Sequence, residues 1–187
     1  MKLQIALRFS ITLLVFSNAI QSQDIYKVKS GKISFFAGTP VEDIDAVNAK
    51  ITGFFNVRTG DVIISMSNKD FIFKRSLMQE HFNENYMESE KYPKSDFKGK
   101  IVGIENYNLS VAGTYQVKVD GNLNVHGVMK PRKFDATIAV NEAGIEVDCK
   151  FDIALADHKI EIPKIVFQKI AEHVKTTLNL TYEPYKK

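Results

Sequence analysis

Val117-Lys118-Val119-Asp120-Gly121-Asn122-Leu123-Asn124-Val125-His126-Gly127 decides how the rest of the chain is read. Taken locally, Asp120-Gly121 between alternating residues is a two-residue hairpin turn, because that dipeptide tolerates the positive φ such turns require. Taken as a whole, Val117, Val119, Gly121, Leu123 and Val125 share one side of a single strand, with the glycine at a bulge or sharp bend. The first reading breaks the stretch into two short strands; the second makes it one long one.

Outward from this stretch the alternation continues in both directions. Residues 109–126 are strand-like throughout, and residues 127–133 contain Pro131 and are expected to turn. Residues 134–140 alternate, Asn141-Glu142-Ala143-Gly144 turns, and residues 145–155 alternate again. The last segment places Val174, Thr176, Leu178, Leu180 and Tyr182 on one side. Toward the N-terminus, Phe97, Gly99 and Ile101 share a face, as do Phe71 and Phe73. Residues 46–57 and 61–66 read as a hairpin closed at Thr59-Gly60, preceded by an apolar run at 33–37 and weak alternation at 24–29. Seven or eight strands at this spacing predict a mainly all-β fold, either a sandwich or an up-and-down barrel. The aromatic content, 13 Phe and 7 Tyr without a Trp, also favours strands.

One helix interrupts the strands. Ser76 and Gln79 have the spacing of a capping box, and Met78, Phe82 and Tyr86 then recur every four residues, an apolar stripe ending near Met87. Pro163 suits the first position of a second short helix, with Ile165, Val166 and Ile170 facing inward.

The chain has 187 residues, the length of one domain. Residues 1–22 are read apart from it as a secretory signal peptide: Lys2 and Arg8 precede a short apolar run at 11–16, and small or polar residues follow, with cleavage after Ala19 or, preferably, Ser22. The run is too short to span a bilayer. Without this segment the 25 basic residues fall to 23 against 22 acidic, so no basic excess or stripe points to nucleic acid. Cys149, the single cysteine, forms no internal disulfide and excludes CxxC redox chemistry and Cys-rich zinc sites; its alternating surroundings read as a buried strand thiol.

Catalytic signatures are sparse. Neither a GxGxxG nor a GxxxxGK[ST] loop occurs, and there is no GxSxG elbow. His81 and Glu84 share a helix face at i and i+3, which Glu88 extends, but carboxylate-bridged metal bundles need two such pairs. The expectation is a solvated helix face, no metal site and no catalytic residue. Met66, Phe71, Phe73, Met78, Phe82, Phe97, Phe134 and Phe151 occupy candidate inward positions. They either line an apolar ligand pocket, for which flexible Met and flat Phe are suited, or fill a core.

The block holding His81-Phe82, then Lys91-Tyr92-Pro93 and the Phe97 strand, resembles the YceI family, as does Val119-Asp120-Gly121-Asn122-Leu123-Asn124-Val125-His126-Gly127-Val128-Met129-Lys130-Pro131. The two blocks stand in the family's order and spacing. The likeness covers nearly all of residues 23–187, although the region between Phe55 and Phe73 is shorter than in longer members. The resemblance favours the single-strand reading of Gly121. It implies a lipocalin-like antiparallel barrel of about eight strands, exported to the periplasm or secreted, that holds a polyisoprenoid, isoprenoid quinone or similar amphiphile. No cofactor beyond such a lipid and no enzymatic activity are implied. On this reading Arg75, His81 and Asn85 are the head-group candidates. The expected partners are the amphiphile, a membrane in transient contact and a second copy in a homodimer. Two alternatives stand beside it: a structural or stress-response barrel filled by its own side chains, and a metal-assisted hydrolase using His81 and Glu84.

Overall fold

The computed structural model describes residues 24–38, 43–142, 144–162 and 172–186. Alternation of inward apolar and outward polar residues, period two, produces ten strands among them. These are β1 (Ile25–Gly38), β2 (Asp43–Asn48), β3 (Ile51–Asn56), β4 (Asp61–Ser67), β5 (Ile72–Phe73), β6 (Lys94–Ile101), β7 (Gly113–Val125), β8 (Val128–Asn141), β9 (Gly144–Ala154) and β10 (His173–Pro184). Eight of them, β1-β3-β4-β6-β7-β8-β9-β10, pair antiparallel in that order, and β10 returns to β1 with Ile33 opposite Leu178, closing the barrel. Closure removes the free edges that an open sheet would expose. The signal-peptide segment and the helix expected after Pro163 lie outside the described residues.

β2 and β5 are continuations rather than extra staves. β2 lies along the upper half of β1 (Ile33 opposite Asn48) and β3 along its lower half (Lys27 opposite Phe54), in one register. Two buried asparagines hold the break between them and the matching break between β4 and β5. Asn48 Oδ1 accepts from the Lys50 N–H at 2.8 Å, an Asx turn, while its Nδ2 donates to the Ser67 carbonyl at 2.8 Å. Asn68 Nδ2 donates to the Tyr92 carbonyl at 2.6 Å and Asn68 Oδ1 accepts from Ser95 Oγ at 2.8 Å.

The opening stretch is one strand. Gly121 pairs with Gly99 on β6 and Arg132 on β8 without a shift of register, so there is neither a hairpin nor a bulge at Asp120-Gly121. The turn sits at His126-Gly127, with φ of 52° and 71°, where Val125 pairs with Val128 across a two-residue loop. The expectation of a turn over 127–133 is therefore corrected. Pro131 lies inside β8, which meets β9 only from Ala136 onward, so the proline occupies a stretch paired on one side alone, as at a sheet edge.

The helix α1 (Ser76–His81) runs into a single π turn, Phe82–Tyr86, closed by the Met87 N–H donating to the Phe82 carbonyl at 2.8 Å. The capping box does not form. Arg75, extended at φ −117°, precedes the first turn without a side-chain cap, and Gln79 Oε1 accepts from the Phe73 N–H instead. At the opposite end of the barrel the β6–β7 connection buries Ile104 and Leu109. Ile101, Ile104, Leu109, Phe55, Ile138, Ile145 and Tyr182 belong to one apolar cluster, and Met87, Phe97, Leu123, Val125 and Ile160 form a second toward the helix.

Candidate ligand-binding cavity

The interior is not filled by side chains. A cavity of about 470 Å³ runs through it, bordered from every stave and from the helix. All eight apolar residues singled out in the sequence border it: Met66, Phe71, Phe73, Met78, Phe82, Phe97, Phe134 and Phe151. They form two aromatic groups. Phe82 reaches from the π turn to Phe35, Phe71 and Phe73, with ring centroids 5.6, 5.4 and 5.0 Å away. Phe134 bridges Phe97 and Phe151 at 5.4 and 4.7 Å. These distances fall within the range of favourable ring packing.

Of the three head-group candidates, His81 borders the cavity and has an exposed side, whereas Arg75 and Asn85 are exposed and are not part of its lining. Glu84 is also exposed, and among the described residues no group of three or more His, Cys, Asp or Glu gathers around His81 or elsewhere to hold a metal.

Besides His81, the polar residues of the lining are Tyr86, Ser95, Asp96, Cys149, Thr176 and Tyr182. Ser95 Oγ donates to Asn68 Oδ1, Asp96 Oδ2 accepts from Asn124 Nδ2 at 2.9 Å, and Thr176 Oγ1 donates to the Val174 carbonyl at 3.4 Å. Burial, with the Asp135 charge adding to it, pushes the Cys149 thiol up to about 11, which keeps it protonated and unreactive near neutral pH.

Alternation does not reveal long-range contacts, and one cluster at the helix end was missed. His126, at the β7–β8 turn, places Nδ1 3.1 Å from the His158 carbonyl and Nε2 2.9 Å from Glu88 Oε2, its ring against Tyr92 at 4.4 Å. Both ring nitrogens thus lie within hydrogen-bond distance of an oxygen. The hydrogen bond from His126, helped by Lys91, holds the Glu88 carboxyl below the usual carboxylate range. His158 is fully buried with Nδ1 3.0 Å from the Val128 carbonyl, and burial pushes its pKa down. Together these contacts tie the segment after the π turn to the β7–β8 hairpin and to the turn after β9. Phe35, Phe55 and Tyr182 also border the cavity; Tyr182 was legible as inward-facing, but nothing in periodicity separates a cavity wall from a packed core.

A family model described as YceI-like domain matches residues 17–182. No curated protein matches the chain by sequence. Among solved structures, the fold is similar to a polyisoprenoid binding domain from Saccharophagus degradans implicated in plant cell wall breakdown, with a TM-score of 0.75 and 15% identity over 86% of this chain and 98% of that one. It is similar to Burkholderia cenocepacia BcnA, at TM-score 0.66 and 16% identity over 80% of this chain and 94% of that one. It also resembles a Campylobacter jejuni YCEI protein, at TM-score 0.53 and 18% identity over 98% and 94% of the respective chains. At these identities the structural likenesses speak for the fold, while the family match spans most of the chain: this protein belongs to the YceI-like family.

Proposed function

We propose that this protein is a binding protein rather than an enzyme, and that it holds a long-chain amphiphile, such as a polyisoprenoid or isoprenoid quinone, inside its barrel in the periplasm or outside the cell. The observation that carries this reading is the apolar cavity. Its volume of about 470 Å³ falls within the usual range of small-molecule pockets. At ~24 cal/mol per Å³, leaving the 470 Å³ unfilled forfeits packing on the order of 10 kcal/mol. That is comparable with the whole stability of a domain. A barrel selected only for structural strength has no reason to keep it. Burial of roughly 0.8 kcal/mol per CH₂ supplies the binding energy for an aliphatic chain. The similarity of the fold to the polyisoprenoid binding domain from Saccharophagus degradans supports the ligand class. The charge pattern of residues 1–22 supports export.

The test is lipid extraction and native mass spectrometry of the protein recovered from its own host. A stoichiometric aliphatic ligand is expected, together with uptake of an apolar dye by the stripped protein. Absence of both defeats the proposal. The exported form is expected to begin at Gln23, which N-terminal sequencing reads.

A further inference from the structure

Three polar residues bordering the cavity lack a side-chain hydrogen-bond partner among the described residues: the exposed His81 and half-buried Tyr86 at the helix end and, fully buried, Tyr182. Tyr182 projects inward from β10 on the same face as Leu178 and Leu180, is 1% exposed, and borders the cavity beside Phe55, with ring centroids 6.0 Å apart. Ser95, Asp96, Cys149 and Thr176 all have hydrogen-bond partners within the protein. The Tyr182 hydroxyl has none among the described residues. Nor is it a group that the fold simply walls in: among the described residues the only buried side-chain polar atom enclosed without a partner is His158 Nε2. Burial alone pushes the Tyr182 pKa far up, so the hydroxyl keeps its proton and is a donor. At the end of the barrel away from α1, Tyr182 belongs to one apolar cluster with Phe55, Ile101, Ile138 and Ile145. Among the described residues no Lys or Arg borders the cavity.

A buried hydroxyl without a partner forfeits the hydrogen bonds it makes with water. A phenylalanine fills the same space without that cost. The hydroxyl has a use if a partner arrives with the ligand. An anionic partner does not suit this end, because a phosphate taken out of water here meets no cation. Resting on the reading of the cavity as the ligand site, we propose that Tyr182 is its deep polar anchor, donating a hydrogen bond to a neutral oxygen acceptor, a carbonyl or ether, on the innermost end of the ligand. The ligand is then oriented oxygen end first, with its hydrocarbon toward α1, and phosphorylated amphiphiles are disfavoured at that end.

Three matched probes test this by displacement of an apolar fluorescent dye from the stripped protein: tetradecane, 2-tetradecanone and tetradecyl phosphate. The ketone is expected to bind roughly tenfold more tightly than the alkane, the order of one hydrogen bond in a dry site. Tyr182→Phe should remove that gap and leave alkane binding unchanged. The empty variant should melt at the same temperature or higher, since it loses only an unpartnered hydroxyl. Equal affinity for ketone and alkane, a gap that survives in Tyr182→Phe, or tightest binding by the phosphate overturns the anchor while leaving the ligand-binding reading intact. A lower melting temperature of the empty variant also overturns it, by revealing a partner within the protein. Failure of all three probes to displace the dye defeats both proposals.

Discussion

Gly121 faces Gly99 across β6 and β7, and a ring lies over both: a Cβ added at Gly121 would come 2.4 Å from the Lys98 carbonyl oxygen and 2.7 Å from the Phe97 ring. The residue is glycine because of this approach and not because of a left-handed backbone, since Gly121 is not among the positive-φ positions. Gly121→Val is expected to destabilise the fold by about 1–3 kcal/mol through overpacking. An unchanged midpoint in denaturant would show that the staves part freely there. His158 is the second residue whose surroundings make a measurable demand. Its pKa lies below the ordinary 6.5, because burial outweighs the opposing pull of the Val128 and Val125 carbonyls and of Asp157, while Arg132 adds to the lowering. The folded state therefore binds fewer protons than the unfolded chain below that pH, and stability falls as pH drops from 6.5 toward the folded value. Glu88, held below 4.5, contributes stability above that value that is lost on further acidification through its folded pKa. Melting temperature should decline between about pH 7 and 5 in the native protein and stay flat over that window in His158→Gln. A parallel decline in the variant would assign the acid sensitivity elsewhere.

At the scale of elements, α1 and its π turn form the part whose role is most testable. Phe82 is half-buried, packs against three phenylalanines of β1, β5 and the segment before β5, and borders the cavity. A ring enclosed on all sides costs about 3–5 kcal/mol when cut to alanine; one bordering open space has already forgone part of its contacts. Phe82→Ala is therefore expected to lose about 1–3 kcal/mol and to lower lipid occupancy in the purified protein. A larger loss with unchanged occupancy would place the helix in the core rather than at the pocket. Elements were also where the sequence was most legible. Period-two alternation located β6, β7, β9 and β10 and the inward side of each, and the Met78–Phe82 stripe located the helix. What failed depended on partners that alternation does not register. Pro131 continues a strand because β9 is absent beside it, and Gln79 abandons the cap because the Phe73 N–H is within reach. Residues 24–29 and 33–37 merge into one strand because β10 runs along both, with a shift of register between Val28 and Ser30. For the pocket, alternation together with the helix stripe named eight apolar residues that border it. It gave no means of ranking polar residues near the helix, and Arg75 and Asn85 turn out to be exposed.

For the whole molecule, the question is whether the closed ring encloses space or packed side chains. Sandwich and barrel had equal standing from strand spacing. The pairing of β1 with β10 decides between them, a contact between the two ends of the chain. A sandwich core of two facing sheets has its side chains interdigitated. A closed ring of eight staves has an interior that side chains either fill or leave for one ligand. Ala136 is where the two differ most in consequence. It is 6% exposed, sits between Val117 on β7 and Cys149 on β9, and its methyl group borders the cavity. In a filled barrel Ala136→Phe forces a ring into occupied space and costs about 1–3 kcal/mol or more. In a hollow one the ring enters the cavity, gains contacts with Val117, Val119 and Phe134, and takes the place of part of the ligand. The expected outcome is a melting temperature of the stripped variant equal to or above that of the stripped native protein, with apolar dye and lipid uptake reduced at least about tenfold. Bound ligand also raises the native melting temperature in proportion to the logarithm of its free concentration over Kd, a rise the variant should lose. Destabilisation with uptake preserved would mean that the interior near Ala136 is packed and that the ligand, if there is one, lies elsewhere.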